Sequence, residues 1–371
     1  MIDPENYGFH DEESVGSGCC GEVVRATDPE GKTVALKQFN SMAIDRHFLE
    51  TNYRRYARLS KHSGIVDIHG YQFKEHPYFI VMDWIEGKTL DEIGHLPEGE
   101  AWQRIYEIAD ALAHLHKHAL VHTNLHPGNI FFTEDQQSIA KITDFGPGLA
   151  GKVHHIDLGE TAYYAPPEQL ENPENFDDKI AEQWDVYRFG VIAFWLINGT
   201  LPRGHGYIKA RGEALEESGG RPVPVDYQAY AADVRENPEF HWNRKTSNRA
   251  FRLRREIVEK CLSICPNERP LDMRDVRTSF RALEQQFVLE DAENRVVRER
   301  KLQKMKLIVT RTVAACLAIS LTAASYFLIR YLHRTISQDK EISKLEHVTS
   351  TQKADIEKRD RLLSEIEHDL K

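Results

Sequence analysis

Two short segments, Val121-His122-Thr123-Asn124-Leu125-His126-Pro127-Gly128-Asn129-Ile130 and Lys141-Ile142-Thr143-Asp144-Phe145-Gly146, carry most of the fold information in this chain. Asn129 lies in the first of these segments and Asp144 in the second. A turn-capping aspartate before glycine is the plainer account of Asp144 taken alone.

Upstream, Ala101 to Lys117 puts Trp102, Ile105, Ile108, Leu112 and Leu115 on one face, the pattern of a helix packed on a core. Tyr78-Phe79-Ile80-Val81-Met82 reads as a buried strand. Glu22 to Thr27 and Lys32 to Phe39 read as two strands joined by a turn at Asp28-Pro29-Glu30-Gly31. Strands dominate first and helices after about residue 88, which predicts a small β lobe followed by a larger α lobe. Between the first strands lies Gly16-Ser17-Gly18-Cys19-Cys20-Gly21-Glu22-Val23, the pattern G-x-G-x-x-G-x-V. Glycines there would let a backbone approach phosphates with no Cβ in the way. A glycine turn in a hairpin reads equally well until Val34-Ala35-Leu36-Lys37 is added, which sets a lysine on the next strand.

With these segments in this order, the chain resembles the eukaryotic-like (Hanks-type) serine/threonine protein kinases, in a bacterial membrane-anchored form, over residues 8 to 287. Further segments match in order: Thr161-Ala162-Tyr163-Tyr164-Ala165-Pro166-Pro167-Glu168, Asp185-Val186-Tyr187-Arg188-Phe189-Gly190-Val191, and Cys261 to Pro270. The resemblance implies an α+β, bilobal protein-kinase-like fold, with a β-rich N-lobe over about 8–84 and an α-rich C-lobe over about 85–287. It implies ATP and Mg2+ as ligands. Gly16, Gly18, Gly21, Val23, Ala35, Lys37, Met82, Asp83 and Ile85 would form the nucleotide site, with Met82 as gatekeeper and Asp83-Trp84-Ile85 as hinge. Asn129 and Asp144 would hold the metal. Glu168 and Arg269 would make a structural pair, and Asp185 would hold the catalytic loop from below. Thr161 fits the serine/threonine class or simply packs.

The family's catalytic loop reads H-R-D-x-K-x-x-N, and this chain departs from it. Asn124 stands at the catalytic aspartate position, and an amide cannot carry a proton away at neutral pH. His126 replaces the loop lysine, and a histidine of ordinary pKa is mostly neutral at pH 7. Thr123 replaces the arginine that receives a phosphorylated activation loop. The helix glutamate that pairs with the strand lysine is also missing, because counting inward positions from Tyr56 and Leu59 puts Asn52 at that site. Glu50 lies two positions away, about 200° around the helix, and would need a local irregularity to take its place. Losing a general base costs about 10²–10⁴-fold, which from a turnover of roughly 10 s⁻¹ leaves slow transfer at best. An ATP-binding pseudokinase is therefore expected, with a slow but genuine serine/threonine kinase as the alternative. A non-enzymatic membrane scaffold assembled through its tail is the third possibility.

Composition bounds the rest. The net charge is −10, which argues against nucleic acid as a partner. The five cysteines, Cys19, Cys20, Cys261, Cys265 and Cys316, make no C-x-x-C pair, and a reducing compartment is expected. The N-terminus is acidic and polar, so no cleavable leader is expected. Leu307 to Ile329 is apolar except for Arg311, long enough at about 1.5 Å per residue to cross about 30 Å of hydrocarbon. It defines a transmembrane helix over 307–332 between a basic linker (288–306) and a helical tail (333–371). Arg295, Arg298, Arg300, Lys301, Lys304, Lys306 and Arg311 precede it, against sparser Arg330, Arg334, Lys340 and Lys344 after it. That asymmetry predicts a cytoplasmic kinase-like domain and a tail on the far side. Ile342, Leu345, Ile356, Leu363, Ile366 and Leu370 follow a three-and-four spacing, broken at Thr349, Gln352 and Arg359. A homo-oligomeric coiled coil or a single amphipathic helix would each produce it. The expected partners are the lipid bilayer, further copies of the chain through this tail, and a cytosolic protein partner or substrate. Gly204 to Asn248 reads as a surface insertion.

Overall fold

The computed structural model describes residues 8–18, 21–39, 46–134, 138–145, 159–173, 177–243, 245–246 and 248–369. Cys19, Cys20, Gly146 and Leu370 lie outside the described residues. The chain divides into two units, Met1–Val288 and Leu289–Lys371.

The first unit opens with β1 (His10–Gly18), β2 (Gly21–Thr27) and β3 (Thr33–Phe39), then helix α1 (Arg46–Tyr56), β4 (Ile68–Gln72) and β5 (Tyr78–Asp83). These strands form an antiparallel sheet in the order β1-β2-β3-β5-β4. Side chains alternate across a strand. Val24, Ala26, Val34 and Leu36 therefore build one small cluster, while Ala35, Phe39, Ile80 and Met82 enter the main core on the other face.

The larger lobe follows as β6 (Gly87–Thr89), α2 (Leu90–Ile93), α3 (Glu98–Lys117), β7 (Ile130–Thr133) and β8 (Ala140–Ile142), then α4 (Pro167–Glu171), α5 (Asp178–Asn198), α6 (His205–Glu217), α7 (Tyr227–Glu236) and α8 (Arg249–Cys261). Strands β6, β7 and β8 form a second small antiparallel sheet. The apolar stripe of α3 is buried throughout, Trp102, Ile105, Ile108, Leu112 and Leu115 included. Helix α5 starts cleanly because Asp177 accepts hydrogen bonds from the N–H groups of Lys179 and Ile180, both at 2.8 Å. It stops at Gly199, whose φ of 76° is left-handed. Among the described residues Cys261, Cys265 and Cys316 are free thiols, and burial pushes the Cys261 thiol up to about 12.

The surface-insertion reading of residues 204–248 needs correction. The segment folds as α6 and α7, and Tyr230, Ala231 and Val234 of α7 are buried with Ala162, Tyr163, Ala165 and Leu170. Gly204 permits this packing, since a Cβ there would meet the Tyr230 ring at 2.2 Å. Helix α6 itself has no buried residue.

Helix α9 (Met273–Asp369) begins in the first unit, where Met273, Val276, Phe280 and Leu283 are buried. The second unit is the remainder of that helix, and its apolar stretch is solvent-exposed. Among the described residues, one helix is long and apolar enough to cross a membrane.

Candidate functional site

The site lies between the two lobes, and strand register sets its roof. Lys37 stands opposite Val23 on β2 and Ile80 on β5, on the same face of β3 as Ala35. Its ammonium donates to Oδ1 of Asp144, which follows β8. Burial would favour the neutral acid at Asp144, but the Lys37 ammonium outweighs it and holds the carboxyl below the usual carboxylate range. Asp144 adopts φ 57°, a left-handed backbone that aspartate tolerates.

Among the described residues of helix α1, Tyr53 and Tyr56 are buried and Asn52 is partly buried, as is Leu59 just beyond the helix. Glu50 is instead turned along its own helix, where Oε1 accepts from Arg54 Nη2 at 2.8 Å. The aromatic residues fasten the helix to the floor of the cleft. Tyr53 donates from its hydroxyl to the carbonyl of Phe145 at 3.1 Å. Tyr56 donates to the carbonyl of Val121 and stacks on Phe145 with centroids 5.0 Å apart.

The loop from His122 to Asn129 is held on every side. Asp185 of α5, fully buried, accepts from the N–H groups of His122 and Thr123, both at 2.6 Å. His116 lies 3.0 Å from the same carboxylate through Nε2. Its Nδ1 accepts from the Met273 N–H at 3.2 Å, so the proton sits on Nε2 and is donated to Asp185. His122 is fixed likewise: Nδ1 accepts from the Asn124 N–H at 3.3 Å, and Nε2 donates to the carbonyl of Thr143 at 2.9 Å. Three consecutive carbonyls of the loop also find side-chain donors. Gln169 Nε2 reaches Thr123 at 3.2 Å, Asn129 Nδ2 reaches Asn124 at 2.9 Å, and Arg188 Nη1 reaches Leu125 at 3.3 Å. Thr123 has φ 59°, a strained backbone for a β-branched residue that persists because its N–H and carbonyl are both held.

Two side chains of that loop decide what it can do. Asn124 is buried, and its Oδ1 has no hydrogen-bond partner among the described residues. Such an oxygen is free to accept a bond from a hydroxyl but cannot keep its proton. His126 packs its ring against Gly128, where a Cβ would come within 3.1 Å of Cε1. Burial pushes the His126 pKa down to about 3; Arg188 and Lys37 act the same way, while Asp144 opposes. At neutral pH the ring carries no charge.

The cleft has a volume of about 390 Å³. Gly16, Val23, Ala35, Lys37, Met82, Asp83, Ile85, Asn129 and Asp144 line it. Gly21 is not among the described lining residues. It lies in β2 at φ 151°, where a Cβ would meet the Gln38 carbonyl oxygen at 1.7 Å, so strand pairing demands this glycine. Gly18 pairs with it across the hairpin. The Asp83 carboxylate is engaged by Lys32 and His69, both at 2.7 Å, while its residue lines the cleft edge. Sequence reasoning missed the lining residues Val66, Thr89, Phe131 and Thr143. It also missed Gln169 and Arg188 under the loop, although Arg188 interrupts an apolar run in α5 and so left a signal. The walls are apolar at Val23, Ala35, Val66 and Phe131, and one end holds a lysine, an aspartate and an asparagine. That arrangement suits a planar ligand with a polyanionic end coordinated through a hard cation.

Lower in the lobe, Arg269 meets Glu168 in a two-pronged ion pair, at 2.6 Å and 3.2 Å. The arginine also donates to the Ser263 carbonyl at 2.7 Å and lies over the Tyr187 ring at 4.7 Å. It ties α4 to the segment before α9.

Residues 9–280 match the family model for a protein kinase domain. The chain is 27% identical over 229 residues, 58% of its length, to serine/threonine-protein kinase pkn2 of Myxococcus xanthus, covering 27% of that protein. It is 30% identical over 201 residues, 51% of its length, to serine/threonine-protein kinase PrkC of Bacillus subtilis, covering 30% of it. Similarity to serine/threonine-protein kinase TOUSLED of Arabidopsis thaliana is 28% over 283 residues, 69% of the chain and 38% of the relative. The chain thus spans less than half the length of each of these relatives.

Proposed function

The chain belongs to the protein kinase domain family, and from that premise we propose that it is a membrane-anchored, ATP-binding pseudokinase. The observation that carries this reading is an imbalance within one cleft. The groups that grip a nucleotide are present and paired, Lys37 with Asp144 beside Asn129. The groups that move a proton and neutralise a transferred phosphoryl are an amide, Asn124, and an uncharged ring, His126.

Asp144 and Asn129 would hold Mg2+. The fit rests on donor chemistry: the Asn129 amide nitrogen is spent on the Asn124 carbonyl, which leaves its oxygen as the metal-facing atom. When bound, the cation would neutralise phosphate charge. Lys37 would steady the phosphates, Ala35, Val66 and Phe131 would enclose the base, and the hinge at Met82 to Ile85 would orient it. The basic residues before the apolar stretch of α9 support a cytoplasmic kinase-like domain with the tail across the bilayer. The three-and-four stripe of the tail supports self-association there.

The test uses the full chain in detergent micelles. Mg-ATP at about 100 times Kd is expected to add about 2.7 kcal/mol of stability, with protein phosphorylation near background. No stabilisation removes nucleotide from the reading, and transfer at about 1–100 s⁻¹ removes the pseudokinase. One observation favours a second reading, a slow genuine kinase: the loop around Asn124 is fully braced. In that case transfer disappears in Asp144→Ala and rises in Asn124→Asp.

A further inference from the structure

Arg188 is fully buried on α5, directly beneath the loop. Burying a guanidinium is costly unless its charge and its donors are met, and an apolar residue of similar size would often pack there at no loss. Here Nη1 donates to the Leu125 carbonyl at 3.3 Å and Nε to Gln169 Oε1 at 3.1 Å. Nη2 is buried with no hydrogen-bond partner among the described residues. Gln169 in turn donates to the Thr123 carbonyl at 3.2 Å. One buried cation thereby grips, directly and through one amide, the carbonyls on either side of Asn124. The carbonyl that it holds directly belongs to the Leu125–His126 peptide.

Thr123 and His126 leave the loop itself without a cation, and Arg188 supplies one from below. Asp185, which accepts two N–H groups of the same loop, favours the charged guanidinium, and burial brings its pKa down only to about 10. It is therefore charged at neutral pH.

We propose that Arg188 is the positioning residue for the phosphate-facing side of this loop, fixing the carbonyls of Thr123 and Leu125, and with them Asn124 and His126, so that phosphates, and not the base, depend on it. The proposal deepens the nucleotide-binding reading and rests on it. Adenosine tests the base subsite alone, whereas Mg-ATP tests both, so their ratio separates positioning from general damage.

The experiment measures both affinities by calorimetry on the full chain in micelles. In Arg188→Met, Mg-ATP is expected to bind at least tenfold more weakly while adenosine changes less than twofold, and Arg188→Lys recovers most of the ATP affinity. Should Arg188→Met not fold, Gln169→Ala decides the matter with the same ATP-selective loss at about threefold. Equal losses for both ligands, or no loss for ATP, overturn the proposal. If the wild-type chain binds neither ligand, the nucleotide reading fails by itself. Amide exchange then judges Arg188: residues 122–126 must exchange at least tenfold faster in the variant while α3 and α5 keep their protection, and loosening shared by the whole lobe overturns it.

Discussion

His126 shows how a single substituted side chain reports on its surroundings. Folding moves its pKa from the ordinary 6.5 to about 3, chiefly by burial. Between those values the unfolded chain binds a proton that the folded chain refuses, so stability rises with pH across the window and is complete above 6.5. As pH falls, this contribution is lost. In thermal melts between pH 7 and pH 5, His126→Gln is expected to lose less stability than the wild-type chain. Identical slopes would mean that the ring titrates as an exposed histidine. The chemistry at this scale was legible in the sequence: an amide at 124 and an imidazole at 126 are facts of residue type. The depth of the shift was not, because it comes from burial and from Arg188, a residue far along the chain.

Helix α1 is where the elements of the smaller lobe meet the cleft floor, and its Glu50 pairs with Arg54 of the same helix. Its helical period put Tyr56 and Leu59 on the inner side in the sequence reading, while Tyr53, the most deeply buried of its described side chains, went unremarked. Periodicity identifies a face but does not say what that face will touch. Tyr53→Phe keeps the packing with Phe39 and Phe73, at 5.6 Å and 5.7 Å, and removes the hydroxyl that donates to the Phe145 carbonyl. The expected cost is about 1 kcal/mol in denaturant unfolding, with faster amide exchange confined to α1 and Phe145. A variant as stable as the wild type would show that stacking alone secures the helix. Helix α7 was misread for a related reason. Its apolar residues are few, and they become a buried face only with Leu170 of α4 beside them.

For the whole molecule, the decisive feature is the apolar stretch inside α9. Its exposed leucines, isoleucines and aromatic residues would be an aggregation hazard in water and are at home in hydrocarbon. The full chain is expected to stay with the membrane pellet after alkaline carbonate extraction. Leu317→Arg combined with Leu321→Arg should release it, each charge costing about 2.5–3.5 kcal/mol near the bilayer centre. Equal extraction of both forms would remove the bilayer from the account.

Residue identity at positions 37, 124, 126, 129 and 144, the order of the motifs around them, and the apolar run from Leu307 to Ile329 were settled by the amino-acid sequence alone, because type and spacing are written directly in it. Tertiary structure alone decided that the Lys37 ammonium rests on Asp144, that Tyr53 and Tyr56 bind α1 to the cleft floor, and that Gln169 and Arg188 brace the loop from beneath. These are contacts between segments far apart along the chain. Such contacts depend on how strands, helices and loops are brought together, and no local period or propensity encodes that.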